Sequence, residues 1–507
     1  MIINSDPFDN NESKMDTTIN HSARREDKKM VASGIFWNFI QLIVNQSFAF
    51  ILKLILAKLL FPNQFGLVGM AAIFTGFVQI LNDLGVGAAL VQKKEETLRK
   101  EHFHTAFWTG IVWSVFLFII MSLAIAPLAA SFYKEPLLRN IIPVLSVGIL
   151  ISPVNLVHKA QLTKQMNFKK LAFIDNTSNI MAGSIALILA FWGAGVWALV
   201  FNTVATIFFA MPLYFRATGW KPAFIADKKA FREIFGFGIY TTGSNILNYL
   251  YNNLDYLLIG KLLGASSLGI YTLAFVLTDT FRSRLMAVIN NVMYPIYGKN
   301  QRDYDSLKKY YLKVVQFNCI FIFPVMTYFI AEANNFIINI FGTKWHQTVA
   351  PLQILSLSVM FHILVSGNTA LLRGLGRPGL EMKQQILKAA IFLPTLAVGI
   401  YFYGIIGAAY AILLNKIILV AVAQYTFSII PVKISLKDIF MSVKAPVTAS
   451  LVAFSATYFL NRLNANYLLA GVILVAVYFG VIWLLMGNEL KTIINGLKKN
   501  KTSSSIT

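Results

Sequence analysis

The chain has 507 residues, 57% hydrophobic and 13% charged, with 44 Lys and Arg against 22 Asp and Glu for a net charge of +22. Soluble domains carry about a quarter charged residues, so this composition excludes a soluble globular fold and points to a membrane protein. A single cysteine, Cys319, excludes an intramolecular disulfide.

Residues 1–30 are polar and rich in Asn and Asp, with no apolar core of the kind a cleavable signal needs, and read as a disordered cytoplasmic tail. Fourteen apolar runs of spanning length follow. They lie at roughly 34–60, 66–91, 104–127, 138–158, 171–192, 194–215, 235–261, 268–292, 309–332, 350–372, 385–402, 404–428, 438–460 and 466–488. The expectation is an all-α polytopic protein. It comprises an N-terminal six-helix bundle (31–216), a cytoplasmic amphipathic linker (217–234), a second six-helix bundle (235–430), helices 13 and 14 (431–490) and a cytoplasmic tail (491–507). In the linker, "ADKKAFREIFGFG" sets Phe231, Ile234 and Phe235 opposite a basic face and reads as lying on the inner membrane surface.

Charge supports this count. Started from the inside, alternate connections collect 32 Lys and Arg on one side against six on the other: Lys58, Lys134, Arg139, Lys261, Lys344 and Arg462. A missed or invented helix would scramble that alternation, so both termini are expected in the cytoplasm. The basic excess is where topology and anionic headgroups want it and calls for no nucleic-acid partner.

The chain also repeats itself. "LAKLLFPNQFG" from Leu56 and "IGKLLGASSLG" from Ile259 align at a constant offset, pairing Lys58 with Lys261 and Gly66 with Gly269. The same offset sets Asn38, Gln41 and Asn45 on Thr241, Ser244 and Asn248. Six helices separate the copies, an even number, so the halves form a parallel repeat related by an axis along the membrane normal.

Polar residues inside the spans mark candidate transport sites. Asn245, Asn248, Asn252 and Asp255 fall within about 80° on one helix face, and Asn38, Gln41 and Asn45 form the matching stripe in the first helix. Such a face avoids lipid, leaving either an interhelical hydrogen-bonded contact or a hydrated cavity. Charges inside a span are functional candidates because insertion disfavours them: Lys53, Asp83, Asp279, Arg282, Arg284 and Lys416. Asp279 and Arg282, three apart, can pair. For Lys53, Asp175 and Lys388, snorkelling to an interface competes with a cavity role.

Other motifs carry no chemistry. "GLGRPG" from Gly374 has the letters of a nucleotide-binding loop but no preceding strand, and reads as a turn. His102 and His104 lack a carboxylate or thiol set for zinc and read as interfacial, while Trp345 and His346 read as part of an outer aromatic belt. No cofactor, metal site or catalytic residue is expected.

The segments "FGLVGMAAIFTGFVQILNDLGVGAALVQKKEET", "GKLLGASSLGIYTLAF", "FGTKWHQTVAPLQILSL" and "LRGLGRPG" resemble the polysaccharide-transporter branch of the multidrug/oligosaccharidyl-lipid/polysaccharide exporter superfamily, near the colanic- and teichuronic-acid type exporters and Wzx flippases. The resemblance implies two six-helix bundles with two added helices and flipping of undecaprenyl-pyrophosphate-linked repeat units across the bacterial inner membrane. It assigns cationic cavity roles to Lys53, Arg282, Arg284 and Lys416, and leaves polysaccharide polymerases and glycosyltransferases as candidate partners beside the lipid-linked substrate and membrane lipids. Two rivals remain: a cation-coupled drug exporter using Asp83 and Asp279, and a polytopic sugar polymerase or ligase, which the nearly empty outer loops disfavour.

Overall fold

The computed structural model describes residues 44–462 and 466–503. Every regular element among them is helical, and 11 are long and apolar enough to cross a bilayer. This is a multi-pass membrane protein. Three further crossings reconcile that number with fourteen. The first span is described only over 44–59 (α1), the seventh is amide-rich and so less apolar, and spans eleven and twelve run on as one 52-residue element folded at a glycine.

The contacts divide the chain into two compact units, the first taking the chain up to Leu59 and Ala71–Asn252. After α1 come α2 (Pro62–Asp83), α3 (Val86–Gln92), α4 (Lys100–Ile120), α5 (Ala126–Tyr133), α6 (Leu138–Lys164), α7 (Phe168–Phe191), α8 (Val196–Thr218) and α9 (Lys228–Asn252). α6 is the axis, packing on α3, α4, α5 and α8. It carries Pro143 and Pro153 inside the helix. Gly110 of α4 lies against the second, where an added Cβ would sit 2.8 Å from the Pro153 ring. Close backbone approach over small residues is how membrane helices pack without a hydrophobic driving force. Local signals set the ends: the Asn167 side chain accepts from the Lys170 N–H at 3.3 Å to start α7, and Gly219 at φ 64° stops α8.

The connection between α8 and α9 docks onto this unit. Trp220 stacks on His104 at 5.1 Å and meets Phe107 and His158 edge-on. The Trp108 indole donates to the Ala223 carbonyl at 2.8 Å, His104 Nδ1 accepts from the Ala223 N–H at 2.9 Å, and Thr105 Oγ1 accepts from the Asp227 N–H at 3.0 Å. Ile234 is buried in a cluster with Val86, Leu90 and Phe107. Glu233 binds Lys93 and, at 3.0 Å, His102 Nε2. The lysine bond first, and the histidine bond second, push its carboxyl down to about 2. His102 and His104 are therefore buried residues that hold the linker in place.

The second unit holds Leu60–Met70 and the chain from Asn253 onward. Its elements are α10 (Leu254–Lys299), α11 (Tyr304–Phe341), α12 (Val349–Ile363), α13 (Asn368–Gly374), α14 (Pro378–Ile429), α15 (Leu436–Arg462) and α16 (Tyr467–Ser503). α15 and α16 pack on each other and on α11. Two glycines take backbone angles that other residues resist. Gly264 at φ 83°, ψ 179° breaks α10, and Gly404 at φ 57°, ψ −135° folds α14 into a hairpin. The hairpin arms touch at Gly399 and Gly407, where a Cβ on the former would lie 2.6 Å from the carbonyl oxygen of the latter. The repeat-matched glycines meet each other as well. A Cβ on Gly66 would overlap the Ala265 carbonyl, and one on Gly269 would overlap that of Pro62.

"GLGRPG" is a turn, with Gly376 at φ 69° and Pro378 opening α14. Arg373 closes it by donating to both Glu381 oxygens at 2.7 and 2.8 Å. Trp345 is buried, edge-on to Phe65 at 5.6 Å, and is a packing anchor where a membrane-belt residue was expected.

Candidate functional site

The amide stripe does not form one helix face. α9 ends at Asn252, Asn253 is non-helical at φ −119°, ψ 10°, and Asp255 begins α10. Asn245, Asn248 and Asn252 are exposed on α9 in the first unit, whereas Asp255 is buried in the second. Consecutive Asn side chains compete with the helix for backbone hydrogen bonds, which favours a break at that place.

Asp255 instead belongs to a nest of ionisable groups inside the second unit. Its carboxylate accepts from the Tyr271 hydroxyl and from the Tyr256 N–H at 3.0 Å. Two turns beyond Tyr271 on α10, Asp279 accepts from Arg282, with Nε at 2.9 Å and Nη2 closer. α14 supplies Lys416 and Lys388, and α12 supplies His362. Lys416 feels the charges of Arg282, Lys388, Asp279 and Asp255, and His362 those of Lys416, Arg282 and Lys388. The hairpin at Gly404 brings the two lysines to neighbouring levels, being 16 residues before and 12 after the bend, about 6 Å apart along the axis. Asn415 Nδ2 donates to the Lys388 carbonyl at 3.4 Å across that pairing.

Three cations against two carboxylates leave the nest with an excess positive charge. Arg282 is committed to Asp279, and among the described residues no carboxylate forms an ion pair with Lys416. A partly buried ammonium with no carboxylate in direct contact is a ready partner for an anion, and a guanidinium held by one carboxylate keeps donors for a second. Tyr256, Tyr271 and Phe275 wall the site with edge-on and tilted aromatic pairs at 5.5 to 6.0 Å.

Of the expected cavity residues, the structure unites Asp255, Asp279, Arg282 and Lys416. Of the others, those whose side chains are described lie elsewhere. Asn45 is half-buried and Lys53 exposed on α1. Asp83 stands at the end of α2, beside Gly87 at the start of α3, and its buried Oδ1 has no hydrogen-bond partner among the described residues. Asn38 and Gln41 lie outside the described residues, as does the side chain of Arg284. Sequence reasoning missed His362, Tyr256 and Tyr271 and left Lys388 between snorkelling and a cavity role. Only the mirrored position of Lys388 and Lys416 about Gly404 could have signalled the pairing.

Comparison with known proteins gives this arrangement its context. A family model described as polysaccharide biosynthesis protein matches residues 55–350, more than half of the chain. The chain belongs to this family. Among curated relatives it is 26% identical to the teichuronic acid biosynthesis protein TuaB of Bacillus subtilis, over 83% of this chain and 88% of that one. It is also 26% identical to the lipopolysaccharide biosynthesis protein WzxC of Escherichia coli, covering 77% and 79% respectively. The succinoglycan biosynthesis transport protein ExoT of Rhizobium meliloti is 22% identical over 91% and 94%. Among solved structures, the inward closed lipid II flippase MurJ superposes with a TM-score of 0.69 at 15% identity, covering 90% of this chain and all of that one. An inward-facing MATE transporter of the MOP superfamily gives 0.60 at 13%, covering 77% and 98%. These likenesses show that this member of the polysaccharide biosynthesis family has the flippase and exporter fold.

Proposed function

We propose that this protein moves lipid-linked oligosaccharide or polysaccharide repeat units, carried on undecaprenyl pyrophosphate, across the cytoplasmic membrane by alternating access, without chemical conversion of its cargo. The observation that carries the reading is the cationic nest of Arg282, Lys388 and Lys416 inside a membrane-spanning unit. A pyrophosphate is the part of such a substrate that bilayer hydrocarbon rejects most strongly, and these three side chains offer it one fork and two point charges. The relatives' names, two biosynthesis proteins of surface polysaccharides and one transport protein, point the same way. The repeat supports two six-helix bundles with helices 13 and 14 added, and the basic-loop bias supports cytoplasmic termini. Enzymes that build and polymerise the repeat units are the fitting partners.

The drug-exporter reading needs free acidic coupling sites. Asp279 is paired with Arg282, which disfavours it at that position. The test is flipping of a fluorescent undecaprenyl-pyrophosphate oligosaccharide in proteoliposomes by the parent, by Arg282→Ala, by the charge-balanced pair Asp279→Asn with Arg282→Gln, and by the exposed control Lys383→Ala. Loss in both nest variants, with folded protein and an active control, is expected. A parent that flips no lipid-linked sugar yet exports cationic dyes would replace this reading with the exporter.

A further inference from the structure

The first unit carries a groove of about 960 Å³ that the transport reading does not use. It runs between α7 and α8, from Lys169, Lys170 and Arg216 at the basic-loop face past Phe173 to Ile180 and Leu213. Its two ends differ in chemistry. Lys169, Lys170 and Arg216 are exposed at the mouth, beside the N-terminus of α7, whose unsatisfied N–H groups add partial positive charge. Lys170 is oriented by donating to the Ala217 carbonyl at 3.0 Å, which ties the start of α7 to the end of α8. Further in, the floor is apolar, with Phe173 64% and Ile180 42% exposed to whatever fills the groove. Asn176 also lines it and holds a buried side-chain oxygen that no protein donor reaches among the described residues.

From Lys169 to Ile180 the wall is 11 residues long, about 16 Å of helix. One leaflet of hydrocarbon is about 15 Å deep. The groove thus matches one acyl chain in a single leaflet, with three cations where the phosphate of that lipid would sit.

We propose that the α7–α8 groove is a binding site for an anionic phospholipid of the inner leaflet. The phosphodiester lies among Lys169, Lys170 and Arg216, and one acyl chain runs along Phe173 and Ile180. Basic pockets between membrane helices at the cytoplasmic side hold anionic headgroups by this combination of charge and apolar wall. The site is on a different unit from the cationic nest and serves a bilayer lipid, not the transported substrate.

Native mass spectrometry of the full chain in detergent, titrated separately with phosphatidylglycerol, phosphatidylcholine and undecaprenyl pyrophosphate, tests this. The parent should retain phosphatidylglycerol well above phosphatidylcholine. Lys169→Gln with Arg216→Gln should weaken that retention roughly 30-fold, two lost contacts of the size expected for basic residues at an anionic surface. Lys169→Arg with Arg216→Lys should restore it. Ile180→Trp, which keeps every charge and fills the groove, should lower retention as well. Equal loss in the control Lys383→Gln would reduce the effect to bulk charge and overturn the proposal. So would loss of undecaprenyl pyrophosphate, in place of phosphatidylglycerol, from the double variant, since the groove would then belong to the substrate's path.

Discussion

Gly66→Ala and Gly269→Ala probe the contact in which the two copies of the repeat touch. A Cβ on Gly66 would overlap the Ala265 carbonyl and lie 2.9 Å from its Cα, and one on Gly269 would lie 2.6 Å from the Pro62 carbonyl carbon, where ordinary contact begins near 3.4 Å. Both obstacles are backbone, the nearest atom in each case being a carbonyl oxygen 1.7 Å from the added Cβ, so no rotamer change relieves them and α2 and α10 must separate by about 1.7 Å to restore ordinary contact. Overpacking of this kind destabilises by about 3 kcal/mol at its upper end. Alanine returns about 1 kcal/mol in helix propensity, leaving a net loss near 2 kcal/mol for each variant. Once one methyl has moved the helices apart the second meets less resistance, so the double variant should fall short of the sum by about 1 kcal/mol. Gly243 is the control, because nothing lies within 4 Å of a Cβ added there, and its alanine variant should be neutral or slightly stabilised. Thermal unfolding in detergent, followed by fluorescence-detected size exclusion, reads the series. Gly66→Ala and Gly269→Ala that behave like Gly243→Ala, or that add fully in combination, would refute the close approach.

Lys416→Met removes a charge that sits beside Arg282 and Lys388, so it should raise thermal stability by about 1–2 kcal/mol while reducing flipping in proteoliposomes. Gly404→Ala forces a side chain into an angle that glycine alone takes easily, and should lower stability by about 1–3 kcal/mol in the same thermal assay. Because the Glu233 carboxyl is held at about 2, below its unfolded value, its contribution is complete above the ordinary carboxylate range and is lost only as pH falls towards 2. Protease protection of the 217–235 segment should therefore be flat between pH 5 and pH 8 at about equal rates, and Glu233→Gln should raise cleavage throughout that window.

The crossings and most of their ends were legible because hydropathy and loop charge are local properties of the chain. The bend at Gly404 fell at the first residue of the twelfth expected span, one residue past the gap that follows the eleventh. What escaped depended on distance. Glu233 reaches His102 across 131 residues, so neither the linker's docking nor the burial of the histidines could be read from either segment alone. The amide stripe obeyed helical periodicity yet straddled a break, since periodicity says where side chains would point if a helix continues and Asn253 ends it. Asp279 with Arg282 was readable from spacing. Lys388 and His362 needed the hairpin to bring them beside Lys416.

The hairpin at Gly404 also constrains how the protein is made. Its two crossings share a single non-helical residue and touch backbone to backbone at Gly399 and Gly407, so there is no polar segment that could wait at the interface between one insertion event and the next. The pair must leave the translocon together, already folded against itself. Adding or deleting one residue between Lys388 and Lys416 would turn every later side chain by about 100° and swing Lys416 out of register with Lys388. A biosynthetic defect in this segment would then appear as failed membrane integration, before any question of transport arises.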